Sequence, residues 1–169
     1  MLKQLKTILI ISSLSLLSAC GFHFQNEQIL PKEIQTIQLE SSDPYSDMAR
    51  ALRNQLQLRN INIVENQNNV TVLRLNKTST DSSVASVFKQ GREAEKILIL
   101  NVEASVKLPN HVAYPISAHV TRTFFDNSRA ALAKSAEKEM IWRDMYEQAA
   151  RQLIIKMAAI PHKITTEVQ

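Results

Sequence analysis

The sequence predicts an α+β fold: a two-layer α/β domain in which two helices pack on a small mixed, mostly antiparallel sheet. Three patterns carry that expectation. Leu98, Leu100, Val102, Ala104, Val106 and Leu108 alternate with Ile99, Asn101, Glu103, Ser105 and Lys107, which is the period of a strand with one buried face. Met48, Leu52 and Leu56 recur every four residues among polar neighbours, the period of an amphipathic helix. A second helical pattern runs through Leu132, Ala136, Met140, Met145, Ala149 and Leu153, joined by Ile141 and Trp142.

The first 19 residues read as a removable signal. Lys3 and Lys6 precede a short apolar run over 7–17, and Leu17-Ser18-Ala19-Cys20 closes it with small residues and the single cysteine of the chain. Charged start, apolar run and small-residue cleavage site make a secretory signal. The cysteine at its end is the bacterial lipobox arrangement, in which Cys20 becomes an acylated N-terminus. A membrane-spanning helix needs ~20 apolar residues, roughly twice this run. Three acyl chains hold a protein durably to a bilayer, where one holds it marginally. Gly21 follows the cysteine; an aspartate there is the usual inner-membrane signal, so glycine favours the outer membrane. Residues 20–169 are then a single domain, with no second cysteine for a disulfide.

Within that domain, residues 34–40 read as a first strand. Asp43-Pro44 is expected to start a helix over 45–60, with aspartate as the cap and proline in the first turn. Residues 60–64 follow as a strand, and strand–helix–strand with short connections implies parallel pairing. Residues 70–76 form a strand, and the polar stretch 78–83 is a loop or a polar edge. Residues 82–89 and 93–108 flank Gln90-Gly91, where glycine supplies the positive φ of a hairpin turn. Pro109-Asn110-His111 turns the chain into a strand over 114–125, with Tyr114, Ile116, Ala118 and Val120 on one face. Pro115 cannot donate to a ladder and belongs at an edge or a strand start. Asp126-Asn127-Ser128 caps a helix running to about Ile160, before Pro161. Glu139–Arg143 and Glu147–Arg151 sit four apart on its exposed side, and the tail over 162–169 has no pattern.

Chemistry of a reacting or metal site is not visible. His23, His111, His119 and His162 share no helical face, which disfavours zinc. Gly21 and Gly91 are the only glycines, so no phosphate-cradling loop exists. Asp81, Asp126 and Glu137 lack partners in spacing, and no nucleophile elbow is present. No cofactor is implied. The formal net charge of +4 includes the two signal lysines, too little for a nucleic-acid-binding face. The chain reads as a binding or assembly module.

Two segments stand out as surfaces. Ser86-Val87-Phe88-Lys89-Gln90-Gly91-Arg92 places two cations beside an aromatic at a hairpin tip, or is an ordinary solvated turn. Thr121-Arg122-Thr123-Phe124-Phe125 leads toward Ala131-Leu132-Ala133-Lys134. Adjacent phenylalanines on a strand face opposite ways, so at least one leaves the core, unless it staples the helix start. Together they suit a protein partner and an anionic amphiphile.

The chain closely resembles the LPS-assembly lipoproteins of the LptE family. The resemblance rests on Cys20-Gly21-Phe22-His23, Arg50-Ala51-Leu52-Arg53-Asn54-Gln55-Leu56, Ala85-Ser86-Val87-Phe88, Tyr114-Pro115-Ile116-Ser117-Ala118, Phe124-Phe125-Asp126-Asn127, Ala131-Leu132-Ala133-Lys134, Glu139-Met140 and Met145-Tyr146. It implies a non-enzymatic outer-membrane lipoprotein, anchored through Cys20, that faces the periplasm and plugs the lumen of the β-barrel LPS-assembly protein LptD. It also implies help in assembling that barrel and binding of lipopolysaccharide for insertion into the outer leaflet. By position, Lys89 and Lys134 are the expected lipopolysaccharide contacts, with Arg92 and Arg122 weaker. Lys89 stands where relatives carry arginine and loses the fork that grips phosphate bidentately. Tyr114, Phe124 and Phe125 are the expected barrel anchors. Relatives often carry a longer polar C-terminal extension, which this chain is expected to do without. The competing readings are a pilotin-like lipoprotein escorting another assembly such as a secretin, and a lipid-tethered enzyme. A pull-down of the acylated protein separates them.

Overall fold

The computed structural model describes residues 31, 34–89, 91, 93–126 and 131–167, with side chains of the last helix described as far as Ile160. The elements are β1 (Thr36–Ser41), α1 (Asp47–Leu58), β2 (Asn62–Val64), β3 (Thr71–Val87), β4 (Glu93–Lys107), β5 (Ala113–Phe125) and α2 (Ala131–Glu167). The strands form one sheet in the order β2-β1-β3-β4-β5. β1 is parallel to both β2 and β3, and the remaining pairs are antiparallel. Both helices pack against this sheet and each other, giving the mixed α+β layers that the sequence predicts.

The core follows from the alternation of β4. Leu98, Leu100, Val102, Ala104, Val106 and Leu108 are all buried, in one cluster with Met48, Leu52 and Leu56 of α1 and Met145, Leu153 and Met157 of α2. Removing a residue of this kind costs ~2–5 kcal/mol, because the cavity closes only in part. Pro115 lies on β5, an edge strand, where its missing amide takes nothing from the sheet. Gly91 has φ +76° and donates its amide to the Phe88 carbonyl at 2.8 Å, which is the turn expected between β3 and β4.

Three details differ from the sequence reading, and one open alternative is decided. The cap of α1 is Ser46, whose hydroxyl accepts from the Ala49 amide at 3.4 Å. Asp43 instead accepts from the Tyr45 amide at 2.9 Å, a local turn that delays the helix by one turn. Of the two readings of residues 78–83, the polar edge holds: they lie inside β3, pairing with β4 from Thr78↔Val102 to Ser83↔Ile97. A strand held by main-chain bonds on one side tolerates polar side chains when its other side is open. α2 continues through Pro161 to Glu167. A proline withdraws only its own amide from the ladder, at a cost of ~3 kcal/mol, and its carbonyl still accepts.

The third difference concerns the start of α2. Leu132 and Met140 are 87% and 68% exposed, whereas Met145, Ala149 and Leu153 are fully buried. The apolar stripe is thus continuous in sequence but covered only in its second half. The helix runs opposite to β5: Lys134 meets Phe124, while Lys156 donates to the Ser117 carbonyl at 2.6 Å. Asn127 and Ser128, the expected cap, lie outside the described residues. The signal segment and Cys20 do as well.

Candidate functional site

Three pieces of chain converge at one end of the sheet. The β3–β4 hairpin ends there at Phe88, Lys89 and Gly91. β5 arrives beside it, because Phe125 pairs with Glu95 and the Asp126 amide donates to the Ala94 carbonyl at 3.0 Å. α2 begins there, with Lys134 placed over the Phe124 ring. Residues about 45 positions apart are thereby gathered by an antiparallel meander and a returning helix.

Alternation on β5 splits the two phenylalanines. Phe124 is 3% exposed and Phe125 is 60% exposed. Phe125, with its ring in the open, is therefore the one of the pair available to a partner. Phe124 is placed in the interior, which corrects its reading as a surface anchor: a ring held in the core cannot also insert into another protein. Its part at this end is to support Lys134, whose ammonium lies 5.5 Å from the ring centroid. Lys134 also donates to Glu137 at 2.7 Å, one turn along the helix. The cation is thus positioned from two sides, and its charge is partly offset.

Arg122 has a different neighbourhood from the two lysines. Its guanidinium donates to the Thr121 carbonyl at 3.1 Å, to Asp144 at 3.1 Å, and to Gln148. Those bonds tie β5 to the middle of α2 and leave the arginine less of its fork for a ligand. Lys89 is exposed at the hairpin tip, beside Phe88 at 52% exposure. Arg92 lies outside the described residues. Tyr114 is half-buried against the core and pairs with Val106 near the far end of β5. At ~3.4 Å per residue it stands about 37 Å from Phe125, so these two aromatics belong to opposite ends.

The structure adds a feature that the sequence reading assigned to the core. An apolar groove of about 550 Å³ runs beside Arg122, lined by Ala133, Ala136, Met140 and Ile141. Periodicity finds an apolar stripe but not whether anything covers it. Phe88, Phe125, Leu132 and Met140 are exposed on the elements that reach this end, Phe125 on the sheet face opposite Phe124 and α2. Such a surface can hold an apolar body while meeting an anionic group at its rim. Among the described residues no cluster of three or more metal-ligating side chains occurs, and no helix is long and apolar enough to cross a membrane.

Comparison with known proteins agrees over most of the chain. Residues 34–157 match the family model described as LptE, lipopolysaccharide-assembly. The LPS-assembly lipoprotein LptE of Photorhabdus laumondii is 40% identical over 158 residues, covering 93% of this chain and 87% of that one. Its counterpart from Yersinia pestis (strain Pestoides F) is 39% identical over 159 residues, covering 93% and 77%. The crystal structure of the rare lipoprotein B from Shewanella oneidensis superposes with a TM-score of 0.71 at 38% identity, covering 77% of this chain and 98% of that one.

Proposed function

The chain belongs to the LptE lipopolysaccharide-assembly family, and from that premise we propose that it is the lipid-anchored partner of an outer-membrane lipopolysaccharide translocon. In this reading acylated Cys20 holds the domain to the outer membrane, and the domain sits in the lumen of the barrel LptD and helps that barrel assemble. The family's role is one of assembly, not catalysis. Lipopolysaccharide contacts the end where the β3–β4 hairpin meets the start of α2.

The observation that carries this reading is the meeting of cations and uncovered apolar surface at that end. Lipid A joins phosphates to an apolar body, so its binder needs both within one footprint. Lys89 follows the exposed Phe88 at the hairpin tip, and Lys134 shares the start of α2 with the exposed Leu132. Each partly exposed charge contributes ~1 kcal/mol or less, so affinity comes from several together and weakens with salt.

The test is purification of the acylated full chain from its membrane, for the natural protein and a Lys89→Glu/Lys134→Glu variant. Both are expected to fold and to bring the barrel with them, but the variant should carry less lipopolysaccharide. Equal lipopolysaccharide in the two preparations at low salt would remove these lysines from the site. Absence of any co-purifying barrel with the natural protein would overturn the translocon reading itself.

A further inference from the structure

We propose that the outer edge of β3 is a receptor for an extended strand donated by a different polypeptide. β1 pairs with β3 only from Ile37↔Thr71 to Ser41↔Leu75. β3 nevertheless runs on to Val87 against β4. From Asn76 onward it is a sheet edge of about 40 Å, at ~3.4 Å per residue, and among the described residues no strand pairs with its outer side.

The edge is built to pair. Its register with β4 is continuous from Lys77↔Glu103 to Val84↔Lys96, with irregularities only at either end of that stretch. The Ser82 amide donates to the Asp81 side chain at 2.7 Å, so it is directed to the outer side, and an added strand would take the place of that carboxylate. Main-chain groups two residues apart point the same way in a strand, so Thr78, Thr80 and Val84 present theirs outward as well. Edges of this length are ordinarily blunted by proline, lysine or a covering helix. Over 77–84 there is no proline, and the sole lysine, Lys77, stands at the start.

A groove of about 880 Å³ lies beside this edge, where Thr80 and Ser82 of β3 face Trp142 and Tyr146 of α2, with Asp47, Glu139 and Glu147 adding acidic groups to its lining. An added strand would continue the row that β1 leaves at Ser41. Its main chain would bond to the edge, and alternate side chains would enter the groove over the two rings, as in strand addition to a sheet.

Asp81 decides between occupants. A second copy laid antiparallel over the whole stretch from Thr78 to Val84 sets Asp81 opposite its own twin, and like charges directly opposite destabilise a pair. A different chain with cationic side chains on that face, and apolar ones on the face toward Trp142 and Tyr146, meets both demands. The partner is therefore a strand of alternating cationic and apolar residues.

The probe is the synthetic peptide Val-Lys-Val-Lys-Val-Lys-Val, added to the full chain in detergent micelles while amide hydrogen exchange is followed. Exchange at Thr78, Thr80, Ser82 and Val84 should slow about tenfold or more. The Ser82→Pro variant removes one outward amide without breaking the ladder to β4, and should lose that protection while its other exchange rates stay put. A peptide with glutamate in place of lysine should protect less. Unchanged exchange on peptide addition, equal protection in Ser82→Pro, or equal protection by the glutamate peptide would overturn the proposal. So would amides already protected without peptide, whether dependent on protein concentration (a second copy) or independent of it (a segment of the same chain).

Discussion

The ammonium of Lys134 rests 5.5 Å from the centroid of the Phe124 ring and donates to Glu137 at 2.7 Å. The ring fixes where the charge sits, and the carboxylate sets how much of it a ligand feels. Glu137→Gln should free that charge and tighten lipopolysaccharide binding about twofold at low salt, since a partly exposed pair is worth ~0.5 kcal/mol. The gain should vanish as salt rises. Titration of the natural and variant proteins with lipopolysaccharide at two ionic strengths checks this, and equal affinities would show that Glu137 does not compete.

Phe124 and Phe125 should separate stability from association. Phe124→Ala empties a buried site and is expected to cost ~3–5 kcal/mol in denaturant unfolding. Phe125→Ala, at an exposed position, should cost under ~1 kcal/mol yet reduce recovery of the barrel partner. A folded Phe125→Ala protein that recovers the barrel normally would place the interface elsewhere.

Arg122 should behave as a strap between β5 and α2. Its ion pair with Asp144 is partly exposed, with side chains 41% and 53% accessible, so the charge contributes little by itself. Loss of the bonds to Asp144 and Gln148 in Arg122→Ala is expected to lower stability by ~1 kcal/mol, with lipopolysaccharide affinity nearly unchanged. A large loss of affinity at unchanged stability would make Arg122 a ligand contact instead.

Tyr146 gives the fold an alkaline limit. Burial raises its pKa above the ordinary 10.0, and the nearby Asp47 carboxylate adds to the rise. The folded state therefore holds the phenol neutral, while the unfolded chain ionises first. Stability from this residue is whole below pH 10.0 and is lost as pH climbs through the raised value. Unfolding midpoints measured across that range should fall less steeply for Tyr146→Phe than for the natural protein.

How much of this was legible in the sequence depends on what each residue's neighbours supply. The row from Leu98 to Leu108 was plain because a one-faced strand imposes a period of two whatever it packs on. Parallel pairing of β1 and β2 followed from short connections around Met48, Leu52 and Leu56. Residues 78–83 were ambiguous because their strand character comes from main-chain bonds to β4, which leave no mark on side chains. Ser46 displaced Asp43 as the cap because both are good caps, and the turn at Asp43 decides between them. At the candidate site, the split between Phe124 and Phe125 was legible from strand geometry alone. The open groove at Met140 was not, since Met140 stands about 140° around the helix from the buried Met145.

The reversed crossing of α2 over β5 also bears on the order in which the domain can close. Synthesis runs from the N-terminus, so β3, β4 and β5 exist before Met145, Leu153 and Met157 do. Their local hairpins can zip early, but with only α1 present the row from Leu98 to Val106 stays partly uncovered on its oily side until the final helix arrives. Completion of this fold waits on its last-made segment, and a nascent chain halted short of α2 would be sticky.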